Sequence, residues 1–127
     1  MINITINDML NSQNVFREIA NMPIKMRTSF AIARIIRNLE TELETFEKTR
    51  QELIQMYGEK NDDGSLKINE DGNIIIASEN IEKYNKEIQD LLNEEITIAA
   101  EPLRIEDMEY IELTPTQAYM IEKFIKE

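Results

Sequence analysis

The chain has 127 residues and a formal charge of −11, because 25 Asp and Glu residues outnumber 14 Lys and Arg residues. It contains no Cys and no His, which excludes disulfides, zinc sites of the usual kinds and catalytic triads built on an imidazole. We therefore expect a single domain, residues 1–127, that is not an enzyme and has no catalytic residue, cofactor or metal.

The N-terminal residues alternate between isoleucine and polar side chains over 2–7, which predicts a short strand with one buried face. Asn7 or Asp8 can then cap a helix that continues to about Asn21, because a short side-chain oxygen accepts a hydrogen bond from a free backbone N–H. Pro23 disfavours a helical conformation at the residue before it, so we expect the helix to end there.

A heptad pattern of apolar residues predicts one long helix over 26–57. Its positions are separated alternately by four and three residues: Ile32, Ile36, Leu39, Leu43, Phe46, Arg50, Leu53 and Tyr57. Such a seam is typical of a helix packed along another helix, and at about 1.5 Å per residue this one is roughly 48 Å long. A second apolar face in the first third, which we also expect to be buried, is formed by Phe30, Ala31, Ala33 and Ile35.

The stretch after Gly58 contains two Asp-Gly turn dipeptides, at 63–64 and 71–72. Residues 65–68 and 73–77 can form a β-hairpin around the second of these turns. Residues 58–78 are therefore expected to form a hairpin and turn excursion between two helices. No internal repeat is apparent in the chain.

Ser78 is a favourable N-cap for a helix over 79–93, whose apolar line repeats the three-four spacing. Its members are Ile81, Tyr84, Ile88 and Leu91. The alternation of apolar and polar or small residues over 95–100 predicts a second strand. The sequence from Thr114 to Gln117 is typical of a capping box that starts a last helix. The sequence thus predicts an α+β, mainly helical fold: the long helix 26–57 paired antiparallel with helix 79–93, a small β-hairpin or sheet, and terminal helices.

One segment has the spacing of a calcium-binding loop. Glu59, Asn61, Asp63 and Glu70 occupy ligand positions, with a glycine at the sharp turn. However, Glu59 is longer than the usual first ligand, and an Asp-Gly turn follows where the exiting helix should begin. The hairpin is therefore the favoured interpretation of this segment.

Arg27, Arg34 and Arg37 lie on one face of the long helix, because they are separated by seven and three residues. Such a face can bind a phosphate, a nucleotide or an acidic partner. It can equally pair with the acidic C-terminal segment of the same chain. Nucleic acid is not an expected partner, since the whole chain is acidic and no aromatic platform accompanies the basic residues.

The acidic residues are concentrated in the later part of the chain, with 14 acids against 6 bases over 38–93 and 9 against 3 over 94–127. This surface can serve solubility alone, or it can bind a protein partner. The candidate contact residues are Glu40, Glu44, Glu47, Glu106, Asp107, Glu109 and Glu112. We expect no membrane partner, because no window of 18 apolar residues is present and the N-terminus lacks the features of a signal peptide.

Several stretches of the sequence are similar to a known group of proteins. They are the long helix, the segments YGEK and DDGSLKI that follow it, and the ending IELTPTQAYMIEKFIKE. Over residues 26–125 the chain resembles an uncharacterised family of small bacteriophage and prophage proteins from low-GC Gram-positive bacteria. The resemblance implies a phage origin and a location in the cytoplasm of the bacterial host. It implies no functional residues.

Three functions follow as hypotheses. The leading one is a non-enzymatic, phage-encoded protein-binding module that inhibits a host defence or nucleic-acid-handling factor through its acidic surface. The first alternative is a structural or assembly factor of the phage particle that forms a coiled-coil oligomer through the helical seam. The second alternative is a scavenger of small anionic ligands through the three arginines.

Overall fold

The computed structural model describes residues 1–126, and its secondary structure is that of a mainly helical α+β protein. The elements are β1 (Ile2–Thr5), α1 (Ile6–Ala20), α2 (Met26–Tyr57), α3 (Ile81–Leu92), β2 (Glu95–Ile98), β3 (Leu103–Arg104), α4 (Pro115–Met120) and β4 (Ile125–Lys126). Short 3₁₀ turns cover Ser78–Asn80, Ile105–Met108 and Glu122–Phe124. The predicted fold class is confirmed, and the long helix has the predicted bounds.

The residue contacts divide the chain into two compact units. The first unit comprises residues 1–42 together with the described residues from Asn93 onward, and the second comprises Leu43–Leu92. The single domain indicated by the length stays a prediction. None of the helices in residues 1–126 is both long and apolar enough to cross a membrane.

In the first unit, β1 pairs antiparallel with β2, and Ile2 lies opposite Ile98 while Ile4 lies opposite Ile96. The alternation of β1 places Ile2 and Ile4 in the core, where both are almost completely buried. The pairing extends beyond the strands, because the backbone N–H of Ile6 donates to the carbonyl of Glu94 at 3.0 Å. The predicted strands are therefore confirmed, and they join parts of the chain that are far apart in sequence.

Helix α1 begins earlier than the sequence indicated. Thr5 is the N-cap: its hydroxyl accepts from the backbone N–H of Asp8 at 3.1 Å, and the Asp8 carboxylate accepts from the backbone N–H of Thr5 at 2.9 Å. The predicted cap at Asn7 or Asp8 was wrong. The alternation of isoleucines assigned Ile6 to the strand, but Ile6 is equally buried as the first residue of the helix. Burial opposes ionisation of Asp8, but hydrogen bonds from Lys123 and Thr5 outweigh it and lower the pKa of the carboxyl.

The core of the first unit is built around two aromatic rings. Phe16 of α1 meets Phe124 edge to face, with ring centroids 5.0 Å apart. Helix α4 begins at the predicted capping box, since the Thr114 hydroxyl accepts from the Gln117 backbone N–H. The helix ends at Met120, and Tyr119 is 77% exposed. After α4, strand β4 pairs in parallel with β3.

The seam of α2 is buried or half-buried at every position. The fully covered members are Ile32, Leu39 and Phe46. The expected second apolar face was only partly right, because Ile35 is completely buried whereas Phe30 is 58% exposed and Ala33 is also exposed.

In the second unit, Tyr57 at the end of α2 contacts α3, as the predicted pairing of these helices requires. Its hydroxyl donates to the Glu87 carboxylate at 2.8 Å, and its ring meets that of Tyr84 edge to face. Ser78 does not act as the predicted N-cap. Instead, a 3₁₀ turn precedes α3, with the backbone N–H of Asn80 bonded to the carbonyl of Ala77 at 2.8 Å.

The segment between α2 and α3 contains a closed cycle of backbone hydrogen bonds. The N–H of Glu59 donates to the carbonyl of Ile75, that of Ile75 to Lys67, and that of Lys67 back to Glu59, at 2.8, 3.1 and 2.8 Å. These three residues are eight positions apart, so each of three short segments pairs with both of the others. We call this arrangement the threefold element, residues 58–77.

The turns of the threefold element repeat with the same period. Gly64 donates to the carbonyl of Asn61 and Gly72 to that of Asn69, both at 3.0 Å. Both glycines have positive φ, 87° and 81°, which L residues rarely adopt. The expected hairpin around 69–72 is confirmed by the bridge from Ile68 to Ile74. The expectation that the chain has no internal repeat was wrong, since the hydrogen bonds repeat every eight residues. The repeat is difficult to see in the sequence because the match between NDDGS and NEDGN is short.

Gly58 occupies the position of the threefold element that Leu66 and Ile74 occupy in the other two segments. A Cβ at Gly58 would lie 2.6 Å from the Ile54 carbonyl oxygen, 2.6 Å from Leu66 Cδ2 and 3.5 Å from Ile74 Cγ2. Two branched side chains thus fill the space where the third would be. Glycine is required here for a steric reason and not for its backbone freedom.

We predict that Gly58→Ala destabilises the protein by about 1–3 kcal/mol, because an added methyl group must displace both backbone and side-chain atoms. Urea unfolding followed by circular dichroism measures the loss. Gly64→Asn is the matched control, since a Cβ there meets nothing within 4 Å and Asn tolerates positive φ. Equal stability losses in the two variants would contradict the steric explanation.

Candidate functional site

The seven predicted acidic contact residues fall into two classes in the structure. Three of them already have cationic neighbours: Glu47 accepts from Arg50, Glu106 from Arg104 and Asp107 from Arg27. Within residues 1–126, the other four are exposed and have no ion-pair partner. They are Glu40, Glu44, Glu109 and Glu112. Only these four are available to a partner without first breaking a contact within the chain.

The 3₁₀ turn Ile105–Met108 is attached to the first turn of α2. Arg27 Nη2 donates to Asp107 Oδ1 at 2.5 Å, and the Thr28 hydroxyl donates to the Asp107 carbonyl at 3.3 Å. The hydrogen bond to Asp107 is the main cause of a raised pKa at Arg27. One of the two alternatives for the basic face, pairing with the acidic C-terminal segment, is therefore realised at Arg27.

The cleft beside this ion pair has a volume of about 220 Å³ and is lined by Arg27, Arg104 and Asp107, among others. Both of its guanidinium groups face carboxylates of the same turn, because Arg104 Nη1 lies 3.4 Å from Glu106 Oε1. The positive charge of the cleft is thus largely balanced. A small anion would have to displace these carboxylates in order to bind.

The other two arginines of the predicted anion site differ from Arg27. Arg34 and Arg37 are exposed, and neither guanidinium has a hydrogen-bond or ion-pair partner in the described part of the chain. They lie one helical turn apart, near the exposed Phe30. Of the three arginines of the predicted anion site, Arg27 is thus paired with Asp107, whereas Arg34 and Arg37 are available to a ligand or a partner.

An apolar cleft lies between the end of α1 and the first half of α2. It has a volume of about 140 Å³, and we call it the α1–α2 cleft. Its apolar lining includes Ile19, Met22, Ile24, Ile32, Ala33 and Ile36. Sequence reasoning missed it, because the break at Pro23 predicts a change of direction but not whether the two helices close completely.

The calcium-loop candidates lie in two separate turns. In the first, Asp63 Oδ1 accepts from the backbone N–H and the hydroxyl of Ser65 at 3.0 and 2.6 Å, and these bonds lower the pKa of Asp63. Asn61 also donates to the Ser65 hydroxyl, and Glu59 lies 3.4 Å from Lys67 Nζ. Glu70 belongs to the second turn. Across residues 1–126, no group of three or more acidic, His or Cys side chains is arranged to hold a metal.

Residues 2–115 match a protein family described as protein of unknown function (DUF1617). The chain belongs to this family. No curated protein and no solved structure matches the chain. The description assigns no activity and no functional residue.

We predict that Asp107→Ala lowers the melting temperature, whereas Glu109→Ala leaves it almost unchanged. The first change removes the partner of Arg27, and the second removes an exposed carboxylate that has no ion pair. The effect of Asp107→Ala should shrink at high salt, because the Arg27 side chain is largely exposed and ions screen such pairs. Equal shifts at low salt would show that the ion pair does not hold the turn against α2.

Proposed function

We propose that this protein is a non-enzymatic protein-binding module that contacts its partner through exposed carboxylates. The observation that supports this is that four of the seven candidate contact acids are exposed and have no ion-pair partner among the described residues. Glu40 and Glu44 lie one turn apart on α2, and Glu109 and Glu112 follow the 3₁₀ turn Ile105–Met108. Carboxylates that are not neutralised within the chain can form charge-assisted hydrogen bonds with lysines and arginines of another protein.

The net charge of −11 extends the action of these carboxylates beyond direct contact. An acidic protein is attracted to a cationic groove and repelled by nucleic acid, so electrostatics selects partners and accelerates their encounter. Proteins that handle nucleic acid present such grooves. We propose such a factor of a bacterial host as the target, with inhibition by occupation of the groove as the mechanism.

The proposed origin of the chain is a bacteriophage or prophage, and the proposed location is the host cytoplasm. Both proposals rest on the resemblance of residues 26–125 to phage proteins. The scavenger hypothesis is less well supported by the geometry. One of its three arginines, Arg27, is occupied by Asp107.

A second candidate function is self-assembly through the helical hairpin, as in a structural factor of a phage particle. Helix α3 favours it: five of its 12 residues are apolar, yet none of its residues is buried. Ile81 is 45% exposed. An amphipathic helix with heptad spacing that stays open on one side is suited to pack against further helices.

We predict that reversing the free carboxylates weakens partner binding by about tenfold or more, since like charges then face each other across the contact. The partner is first captured from host lysate and identified by mass spectrometry, and its affinity is then measured with purified proteins. Glu40→Lys/Glu44→Lys and Glu109→Lys/Glu112→Lys test the two pairs. Glu82→Lys/Glu94→Lys is the control, because it makes the same charge change at other exposed acids. Unchanged affinity in both test variants would refute the acidic surface as the contact.

For the second candidate, we predict that the wild-type protein sediments as a defined oligomer and that Ile81→Glu shifts it to the monomer. Ile81 is exposed within the chain, so the substitution should leave the fold intact, which circular dichroism checks. Lys83→Glu, also exposed on α3, is the control and should leave the oligomer unchanged. A monomeric wild-type protein at high concentration would eliminate self-assembly.

A further inference from the structure

We propose that the α1–α2 cleft, together with Phe30, Arg34 and Arg37, is a docking site for an acidic amphipathic segment of a protein partner. This surface has the opposite charge to Glu40, Glu44, Glu109 and Glu112, and the proposal does not depend on those carboxylates. All of its residues belong to the first unit.

The cleft provides the apolar half of the site. Ile19 and Ile32 are buried at its base, while Ala33 forms an exposed part of its wall. Since Ala33 has only a methyl side chain, it leaves room for a side chain of the partner. A concave apolar site of this kind favours a branched or aromatic residue as the anchor of a bound segment.

Helical spacing places the other residues of the site around Ala33. Phe30 lies three residues before Ala33 and Arg37 four residues after it, so both are its neighbours on the surface of α2. Met26 and Arg34 are each four residues from Phe30 and extend the patch on either side. Met26 and Phe30 are both largely exposed, although a large apolar side chain on a helix normally turns toward the core.

The two arginines select the charge of the occupant. Neither has a partner in the described part of the chain, and like charges three residues apart on a helix repel each other. Carboxylates of a docked segment would remove this repulsion and form paired N–H···O hydrogen bonds with the guanidinium groups. The complement of this surface is therefore an apolar anchor flanked by Asp or Glu.

Other occupants complement the surface less well. A free phosphate or nucleotide would use the arginines and leave the apolar cleft empty. Nucleic acid and anionic membranes are repelled by the net charge of the whole chain, which is −11. A short acidic peptide segment carries fewer charges than either, and it fills both halves of the site.

The experiment uses the full chain and a labelled helical peptide with a leucine stripe flanked by glutamates. Fluorescence anisotropy measures its affinity alongside two comparison peptides, one with lysine in place of glutamate and one with glutamine in place of leucine. We expect the acidic leucine peptide to bind about tenfold more tightly than either comparison peptide. Equal affinities for the acidic and basic peptides would overturn the proposal.

Substitutions then locate the site. Arg34→Glu/Arg37→Glu should weaken binding of the acidic peptide by about tenfold or more, and Phe30→Ser should weaken it with no change in net charge. Lys48→Glu/Lys60→Glu is the matched control, since it makes the same charge change at two other exposed cations. An equal loss in this control would show that net charge alone governs binding, and the proposal would fail.

Two further measurements identify competing occupants. Sedimentation of the wild-type protein and of Arg34→Glu/Arg37→Glu tests a second copy as occupant, which would appear as an oligomer that the substitution dissociates. Anisotropy with a short DNA duplex tests nucleic acid as occupant. Either tighter binding of the duplex than of the acidic peptide, or an oligomer that depends on the arginines, would overturn the proposal.

Discussion

The apolar seam of α2 is the constraint on which both units of the protein depend. Apolar surface on a helix stabilises the fold by about 25 cal/mol for each Å² that is removed from water, so the stability of both units depends on how far this seam is covered. The first unit buries Ile32, Ile35 and Leu39, and the second buries Phe46 and Ile54. The two units differ in how completely they bury apolar side chains. The first has an extensive buried core, whereas α3 in the second has no buried residue.

Local signals in the sequence predicted those parts of the fold that local physics determines. The heptad spacing predicted the extent of α2, and the capping box at Thr114 predicted the start of α4, because periodicity and capping act within one or two turns. The cap of α1 was misplaced for the same reason. Both a strand and a helix would bury Ile6, so its apolar character does not distinguish Thr5 from Asp8 as the boundary.

The candidate sites could be predicted only in part, since they depend on contacts between distant residues. Helical spacing correctly placed Arg27, Arg34 and Arg37 on one face, but no local feature indicated that Asp107, 80 residues away, would pair with Arg27 alone. Apolar character likewise predicted burial of Phe30. Phe30 is nevertheless 58% exposed, because burial depends on which other elements cover that face of the helix, and a local pattern does not contain this information.

The charge along the exposed side of α2 changes sign between the two proposed surfaces. Met26, Phe30, Arg34 and Arg37 precede Glu40, after which the exposed side becomes mainly acidic. A partner attracted by the arginines is repelled by the carboxylates, and the reverse also holds. If net charge were the only determinant, substitutions that make the same charge change would alter the affinity for a given partner equally, wherever they lie on the chain. A loss of affinity that follows substitutions at one surface, and not the same charge change elsewhere, therefore requires a surface that is recognised through its own residues.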